Sequence, residues 1–374
     1  MLDAGRHPKI NMLAYSEVVK VSGAVGDFTV KILKKARYVK EDICNACGDC
    51  LEKCPVRKIP DDFDMGLRNR RAIYVYFSQG IPAIATIDKD HCMYLTKGKC
   101  GVCEKVCQKG AIDYEQKDET VTLKVGAIVL ATGLDVFDPR SLTQYGYGRL
   151  PNVITGLEYE RLINATGPTG GHLKRKSDGE LAKRVAYLQC VGSRDLNNCS
   201  WCSSVCCMYS IKDAMLAREH DPDAVSYIFH TDFRNVGKWF QKYEIRGKEE
   251  YDINYVRGRV AEITEDKDHN PILWYEDTET REVKSLTVDM AVLATAAMPS
   301  KGSDKLARLL GVKLNPSGFV KTDLPYPTDT NVPGIYACGF CIGPADIPES
   351  VAQASAAANR AAEVVFAKSL KKTA

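Results

Sequence analysis

Fifteen cysteines punctuate this chain of 374 residues, and eight of them fall into two groups between positions 44 and 107. The first is Cys44-Asn-Ala-Cys47-Gly-Asp-Cys50-Leu-Glu-Lys-Cys54-Pro55, a C-x2-C-x2-C-x3-C-P run. That spacing wraps three thiolates around one iron–sulfur cubane and sends the fourth to a neighbouring cluster. The second group, Cys92, Cys100, Cys103 and Cys107, ends in the same C-x2-C-x3-C step, with a longer first gap and Gln108 where proline is expected. Cys44, Cys47, Cys50 and Cys107 are therefore assigned to one 4Fe-4S cluster, and Cys54, Cys92, Cys100 and Cys103 to another. A pair of structural zinc knuckles is the alternative, since zinc also favours C-x2-C pairs, but zinc has no need of the C-x3-C-P tail.

A third group holds Cys190, Cys199, Cys202, Cys206 and Cys207. Residues 184–193 read as a buried strand running into a turn, where a pyridine-nucleotide domain would set its phosphate-binding glycines. Cys190 stands there instead, and Cys206-Cys207 heads a helix predicted over residues 208–219. Cys190, Cys202, Cys206 and Cys207 are the candidate ligands of a third cluster. Cys199 could replace one of them, and a zinc site or redox dithiol is an alternative at a vicinal pair. Cys338 and Cys341 form a further C-x2-C with no third or fourth cysteine nearby, so they are expected to be unligated.

These residues need a frame. Residues 10–15, 16–22 and 28–38 are short runs rich in Val, Ile, Phe and Tyr, broken at Gly23 and Gly26, which predicts β-structure over residues 1–39. Residues 40–116 are the ferredoxin-like insert, with residues 63–82 as a long arm. A nucleotide-binding domain resumes over 117–151, where residues 120–133 predict a strand, a turn and a buried strand ending in Ala131-Thr132-Gly133. Residues 288–296 repeat that pattern. One Rossmann-like domain, at about 152–291, is thus expected to be inserted into another that finishes over 292–374. No G-x-G-x-x-G occurs in the sequence, so direct binding of NAD(P)H is not expected.

Composition sets the outer limits. A chain with 45% hydrophobic and 26% charged residues is globular, and a net charge of +3 gives no basis for binding nucleic acid. No apolar run approaches the ~20 residues of a membrane span. The opening, Met1 to Pro8, lacks the apolar core of a signal peptide, so a cytoplasmic location and reduced, ligand-type cysteines are expected. No Ser-His-Asp or paired-carboxylate pattern suggests hydrolysis.

Five stretches together carry a specific resemblance. They are residues 44–107 with the long arm, Gly167-Pro168-Thr169-Gly170-Gly171, Gln189-Cys190-Val191-Gly192-Ser193-Arg194-Asp195, Cys206-Cys207-Met208-Tyr209-Ser210-Ile211-Lys212, and Gly343-Pro344-Ala345-Asp346-Ile347-Pro348-Glu349. The chain resembles the A subunits of heterodisulfide reductases, the flavin and iron–sulfur subunits of methanogenic archaea, with relatives in other anaerobes. The resemblance implies an α/β fold, with a thioredoxin-reductase-like core of two dinucleotide-binding domains and an inserted ferredoxin-like α+β domain for two 4Fe-4S clusters. It implies that residues 1–39, 117–151 and 292–374 build an FAD-binding domain.

By position, Ala131, Thr132 and Gly133 should approach the diphosphate or ribose side of FAD, and Gly339, Gly343, Asp346, Ile347, Pro348 and Val351 the ribitol and ring. Pro348 also suits a helix's first turn, whose free N–H groups favour negative charge. A capped, alanine-rich helix over 351–365 explains the same residues without a cofactor. The family places a lysine beside the flavin at the position of Lys212, and an acidic group near the ring at Glu160. As a pair they could set the order of electron transfers.

The resemblance further implies the B and C subunits of a heterodisulfide reductase, a hydrogenase or formate dehydrogenase as electron source, ferredoxin as a second acceptor, and flavin-based bifurcation. Family members usually begin with a glycine-rich flavin motif, so a separate polypeptide is expected to supply the N-terminal half of the FAD site. The alternatives are a non-bifurcating iron–sulfur flavoprotein reductase and a flavin-free wiring subunit.

Overall fold

The computed structural model describes residues 2–373. The chain divides into two compact units, Met1–Val125 and Gly126–Ala374.

In the first unit, strands Ser16–Ala24, Asp27–Lys34 and Glu119–Val125 form an antiparallel sheet in that order. The middle strand buries Phe28 and Val30 on alternate positions, the period-two signature of a half-buried strand. Gly23, at φ 98°, leaves no room for a side chain, because a Cβ there would strike the Asp27 carbonyl. Two expectations are corrected here. Residues 2–6 form a short helix, and residues 10–15 run as irregular chain with Ile10, Met12 and Leu13 exposed. β-propensity makes a strand only where a neighbour takes up the backbone and one face is buried.

The rest of this unit is small and cysteine-rich. Its core packs Val39, Ile59, Ile73, Ile87 and Ile112 together with Cys54, Cys92 and Cys103. Three five-residue helices, Asp49–Lys53, Met93–Lys97 and Val102–Val106, carry or follow the cysteines. Two of them start after a left-handed glycine, Gly48 at φ 95° and Gly101 at φ 84°. Those glycines lie inside the Cys47-to-Cys50 and Cys100-to-Cys103 steps, where the loop must curl before the helix begins.

The second unit is built on a seven-stranded sheet in the order Val153–Thr155, Met290–Thr295, Arg184–Val191, Val225–His230, Asn254–Glu265, Pro271–Asp277 and Glu282–Thr287. The first five strands are parallel and the last two complete an antiparallel meander. All six residues of Met290–Thr295 are buried, as a parallel strand covered on both faces requires. The expected boundary at residue 291 falls within this strand, which pairs with Val153–Thr155 and Arg184–Val191. Helix Gly156–Ile163 starts from a capping box: Glu158 N–H donates to Thr155 Oγ1 at 3.3 Å, and Thr155 N–H donates to Glu158 Oε2 at 2.8 Å.

Beside this sheet lie a parallel pair, Ile128–Leu130 with Ile335–Ala337, and an antiparallel pair, Leu134–Val136 with Ala297–Pro299. Helix Ile347–Thr373 sets Ala357, Ala361 and Val364 against Tyr336 and Cys338. Val351 and Val365, at the two ends of its alanine-rich stretch, are exposed. Among the described residues, no helix is long and apolar enough to cross a membrane.

Candidate functional site

The eight cysteines of the first unit separate into two cavities. One is lined by Cys44, Cys47, Cys50 and Cys107, the other by Cys54, Cys92, Cys100 and Cys103. Each cavity therefore takes three thiols from one group and the fourth from across the unit, the crossed pairing that the spacing predicts. Burial pushes the Cys50 thiol up to about 12, and the neighbouring thiols of Cys103, Cys44, Cys47 and Cys107 push the same way. Burial also raises Cys103, against a contact with the Tyr114 hydroxyl at 2.9 Å. Tyr114 in turn stacks on Tyr94 with ring centroids 3.8 Å apart. Four ionised thiols crowded in such a cavity repel one another, and cationic iron among them would relieve that repulsion. The residues present fit a cluster in each cavity. Among the described residues, no three His, Cys, Asp or Glu side chains already close on a common metal position.

In the second unit, strand Arg184–Val191 delivers Cys190 and helix Cys206–His220 delivers Cys206 and Cys207. Cys190 sits in the left-handed region at φ 61°, an uncommon setting for a residue other than glycine. Its thiol is held down at about 6, first by a hydrogen bond with Cys206 and then by the Arg194 guanidinium, whose Nη1 lies 4.0 Å from Cys190 Sγ. Cys207 bonds to the Cys206 thiol as well. Cys190, Cys206 and Cys207 are thus brought together. Cys202 accepts a hydrogen bond from Ser204 N–H at 3.4 Å, and Cys199 is buried and pairs with Ser193 in an isolated bridge.

The loop carrying Cys199 and Cys202 is pinned to the strand Ala297–Pro299. Ala297 N–H donates to Ser203 Oγ at 2.9 Å, and Trp201 Nε1 donates to the Ala297 carbonyl at 3.0 Å. Val205, just before Cys206, lines an apolar cleft with Ala131, Gly133, Gly339, Asp346, Ile347 and Val351. Thr132, Gly343 and Pro348 lie on the same segments outside that lining. Asp346 caps the long helix: Glu349 N–H donates to Asp346 Oδ1 at 2.8 Å, so one of the free donors expected at this end is already taken. Open space around Gly133, at φ 72°, and the small residues of the rim leave room for a flat cofactor.

Residues 227–360 match the pyridine nucleotide-disulphide oxidoreductase family model. The chain is 44% identical over 365 residues to the A subunit of the H(2):CoB-CoM heterodisulfide,ferredoxin reductase of Methanothermobacter thermautotrophicus, covering 97% of this chain and 54% of that protein. It is 46% identical to the iron-sulfur A subunit of the CoB--CoM heterodisulfide reductase of Methanocaldococcus jannaschii, covering 96% and 54%. With one of the corresponding iron-sulfur A subunits of Methanopyrus kandleri the identity is 47%, covering 98% and 56%. Over nearly all of its own length the chain is similar to heterodisulfide reductase A subunits. It spans about half the length of the curated relatives it matches. Among solved structures, the thioredoxin reductase of T. acidophilum aligns at a TM-score of 0.41 and 16% identity, covering 80% of this chain and 85% of that one.

Lys212 and Glu160 form an ion pair, and neither lines the apolar cleft. Nothing in the sequence pointed to their third partner. Lys212 Nζ also lies 2.9 Å from Asp213, which is fully buried on helix Cys206–His220. Burial first, and then the charge of Glu160, hold the Asp213 carboxyl well above the usual carboxylate range, against the pull of Lys212. A carboxyl that binds its proton more tightly when folded gives its full stabilisation below the unfolded value of ~3.9 and loses it as pH rises through the folded value.

Asp213→Asn cannot ionise and leaves Lys212 paired with Glu160. It should therefore match the wild type near pH 4 and gain about 1–3 kcal/mol of stability by pH 8. Urea melts across that range check this; a difference that does not change with pH would contradict it.

Proposed function

We propose that this chain is an electron-transfer subunit that holds two 4Fe-4S clusters in its first unit, and FAD with a third thiolate-bound cluster in its second. The observation that carries this reading is the sorting of eight cysteines into two cavities with exchanged fourth ligands. Such clusters carry single electrons, and a flavin exchanges electrons singly or in pairs. The chain's own contribution is to bury the thiols, to donate hydrogen bonds to sulfur, as Ala111 N–H does to Cys107 Sγ at 3.3 Å, and to place charge nearby. In the second unit, Cys190, Cys202, Cys206 and Cys207 are the proposed ligands, and Cys206 directly follows Val205, which lines the cleft.

The names of the relatives refer to H2-, formate-, ferredoxin- and F420H2-linked reduction of the CoB–CoM heterodisulfide. They support a place for this chain in a complex with B and C subunits and a hydrogenase or formate dehydrogenase module. There it would divide an electron pair between ferredoxin and the disulfide-reducing module. Isolated anaerobically by itself, the chain should contain about twelve iron and twelve acid-labile sulfide per copy, and its assembly should contain FAD. Zinc without labile sulfide would overturn the reading.

Lys212 is proposed to stabilise the anionic reduced flavin. Lys212→Ala should then lower the flavin potential by roughly 30 mV, about 1.4 kcal/mol in a two-electron couple, with iron content unchanged. Loss of iron at an unshifted potential would move Lys212 to a structural role.

A further inference from the structure

One cysteine pair is left unused by the clusters. Cys338 and Cys341 are both buried, 5% and 4% exposed. Cys338 is extended and caps the one-turn 3-10 helix Gly339–Cys341. In such a turn the side chains at i and i+3 fall in line, with about 6 Å of rise between them. That spacing lies within the Cα separation a disulfide spans.

The two sulfurs do converge. Both donate to one acceptor, the Leu130 carbonyl, Cys341 Sγ at 3.3 Å and Cys338 Sγ at 3.8 Å, and Cys341 Sγ also lies 3.1 Å from the Cys338 carbonyl. The Leu130 carbonyl directly precedes Ala131, so the pair sits beneath the segment assigned to FAD. Cys338 itself lines the apolar cleft with Ala131, Gly133, Gly339, Ser350 and Val351. Burial raises both thiols, so they stay neutral and shielded from bulk oxidants. The face of the pair that opens does so into the cleft.

We propose that Cys338 and Cys341 are a redox-active dithiol that exchanges an electron pair with the flavin held in this cleft. The proposal rests on the FAD reading above. Two S–H bonds break and one S–S bond forms; two electrons and one proton pass to the oxidised flavin, and the second proton leaves to solvent. The reverse step restores both thiols. Because iron–sulfur clusters handle single electrons, this pair gives the site a two-electron store that the clusters do not provide.

The test uses the anaerobically isolated assembly, freed of small thiols and mixed under argon with FAD as the sole added oxidant. Acid quenching, thiol alkylation and peptide mapping follow, with bound FAD measured in the same sample by ultrafiltration. The expected result is a Cys338–Cys341 linked peptide at about one per chain with FAD bound. In Cys341→Ala, at the cysteine that does not line the cleft, FAD should still bind and Cys338 should be recovered fully alkylated. Bound FAD with both wild-type cysteines alkylated would overturn the dithiol proposal and leave the cofactor reading standing. Absence of bound FAD would overturn the cofactor reading, and the dithiol proposal with it.

Discussion

Cys107→Ala should abolish the same cluster as Cys50→Ala, and leave intact the one that depends on Cys103. Sequence proximity argues the other way, because Cys107 follows Cys103 on the same short segment. Val102–Val106 is helical, however, and Cys107 is its extended C-cap, so the chain turns away between the two thiols. Cys107 lines the cavity of Cys44, Cys47 and Cys50, and Cys103 the cavity of Cys54, Cys92 and Cys100. Each variant should lose about four iron and four sulfide per chain, and the double variant no more than either single one. Cys107→Ala combined with Cys103→Ala should instead lose about eight. Iron and sulfide analysis of the anaerobically isolated assembly separates the two patterns. If Cys107→Ala and Cys103→Ala together lost only four, the exchanged pairing would be wrong.

The sorting of thiols into two cavities was legible because cysteine spacing fixes loop geometry: C-x2-C closes a turn around one metal group, while the C-x3-C-P step reaches past it. Two strands of the seven-stranded sheet, those expected over 184–193 and 288–296, were legible from their apolar runs; the first ends at Val191, and the helix expected from Met208 begins at Cys206. Residues 10–15 misled because Ile, Met, Leu and Tyr satisfy a strand pattern whether or not a neighbouring strand exists. Asp213 was hidden for a related reason. On a helix of mixed polarity one aspartate reads as solvent-facing, and only the packing of Tyr159, whose hydroxyl donates to the Asp213 carbonyl at 2.9 Å, shows that this turn is inside. Tyr114 left no sequence signal either, since its contact with Cys103 depends on how the chain returns after Cys107.

Leu293→Ala should destabilise the second unit by about 3–4 kcal/mol, the usual cost of emptying a fully buried leucine site. Leu293 is wholly buried on strand Met290–Thr295, between Thr155 and Leu188 in register, and packs with Val191, Phe229, Ile263 and Leu273. Neighbours fixed by strand pairing on both sides cannot collapse into the space, so the cavity persists. For a unit of this size the loss corresponds to roughly 10 °C in Tm. Trp201, Trp239 and Trp274, the three tryptophans of the chain, all lie in this unit, so their fluorescence follows its unfolding. Leu196→Ala, at a leucine 93% exposed, should change stability by less than about 0.5 kcal/mol.

The effect should also reach the third cysteine group. The strand runs directly into Ala297, whose N–H and carbonyl hold Ser203 and Trp201. A strand loosened at Leu293 slackens that anchor, and Cys199, buried behind it, should then alkylate faster in the variant under native conditions. Unchanged alkylation alongside the expected loss of stability would mean that the cysteine loop is held by its own contacts and not by the sheet.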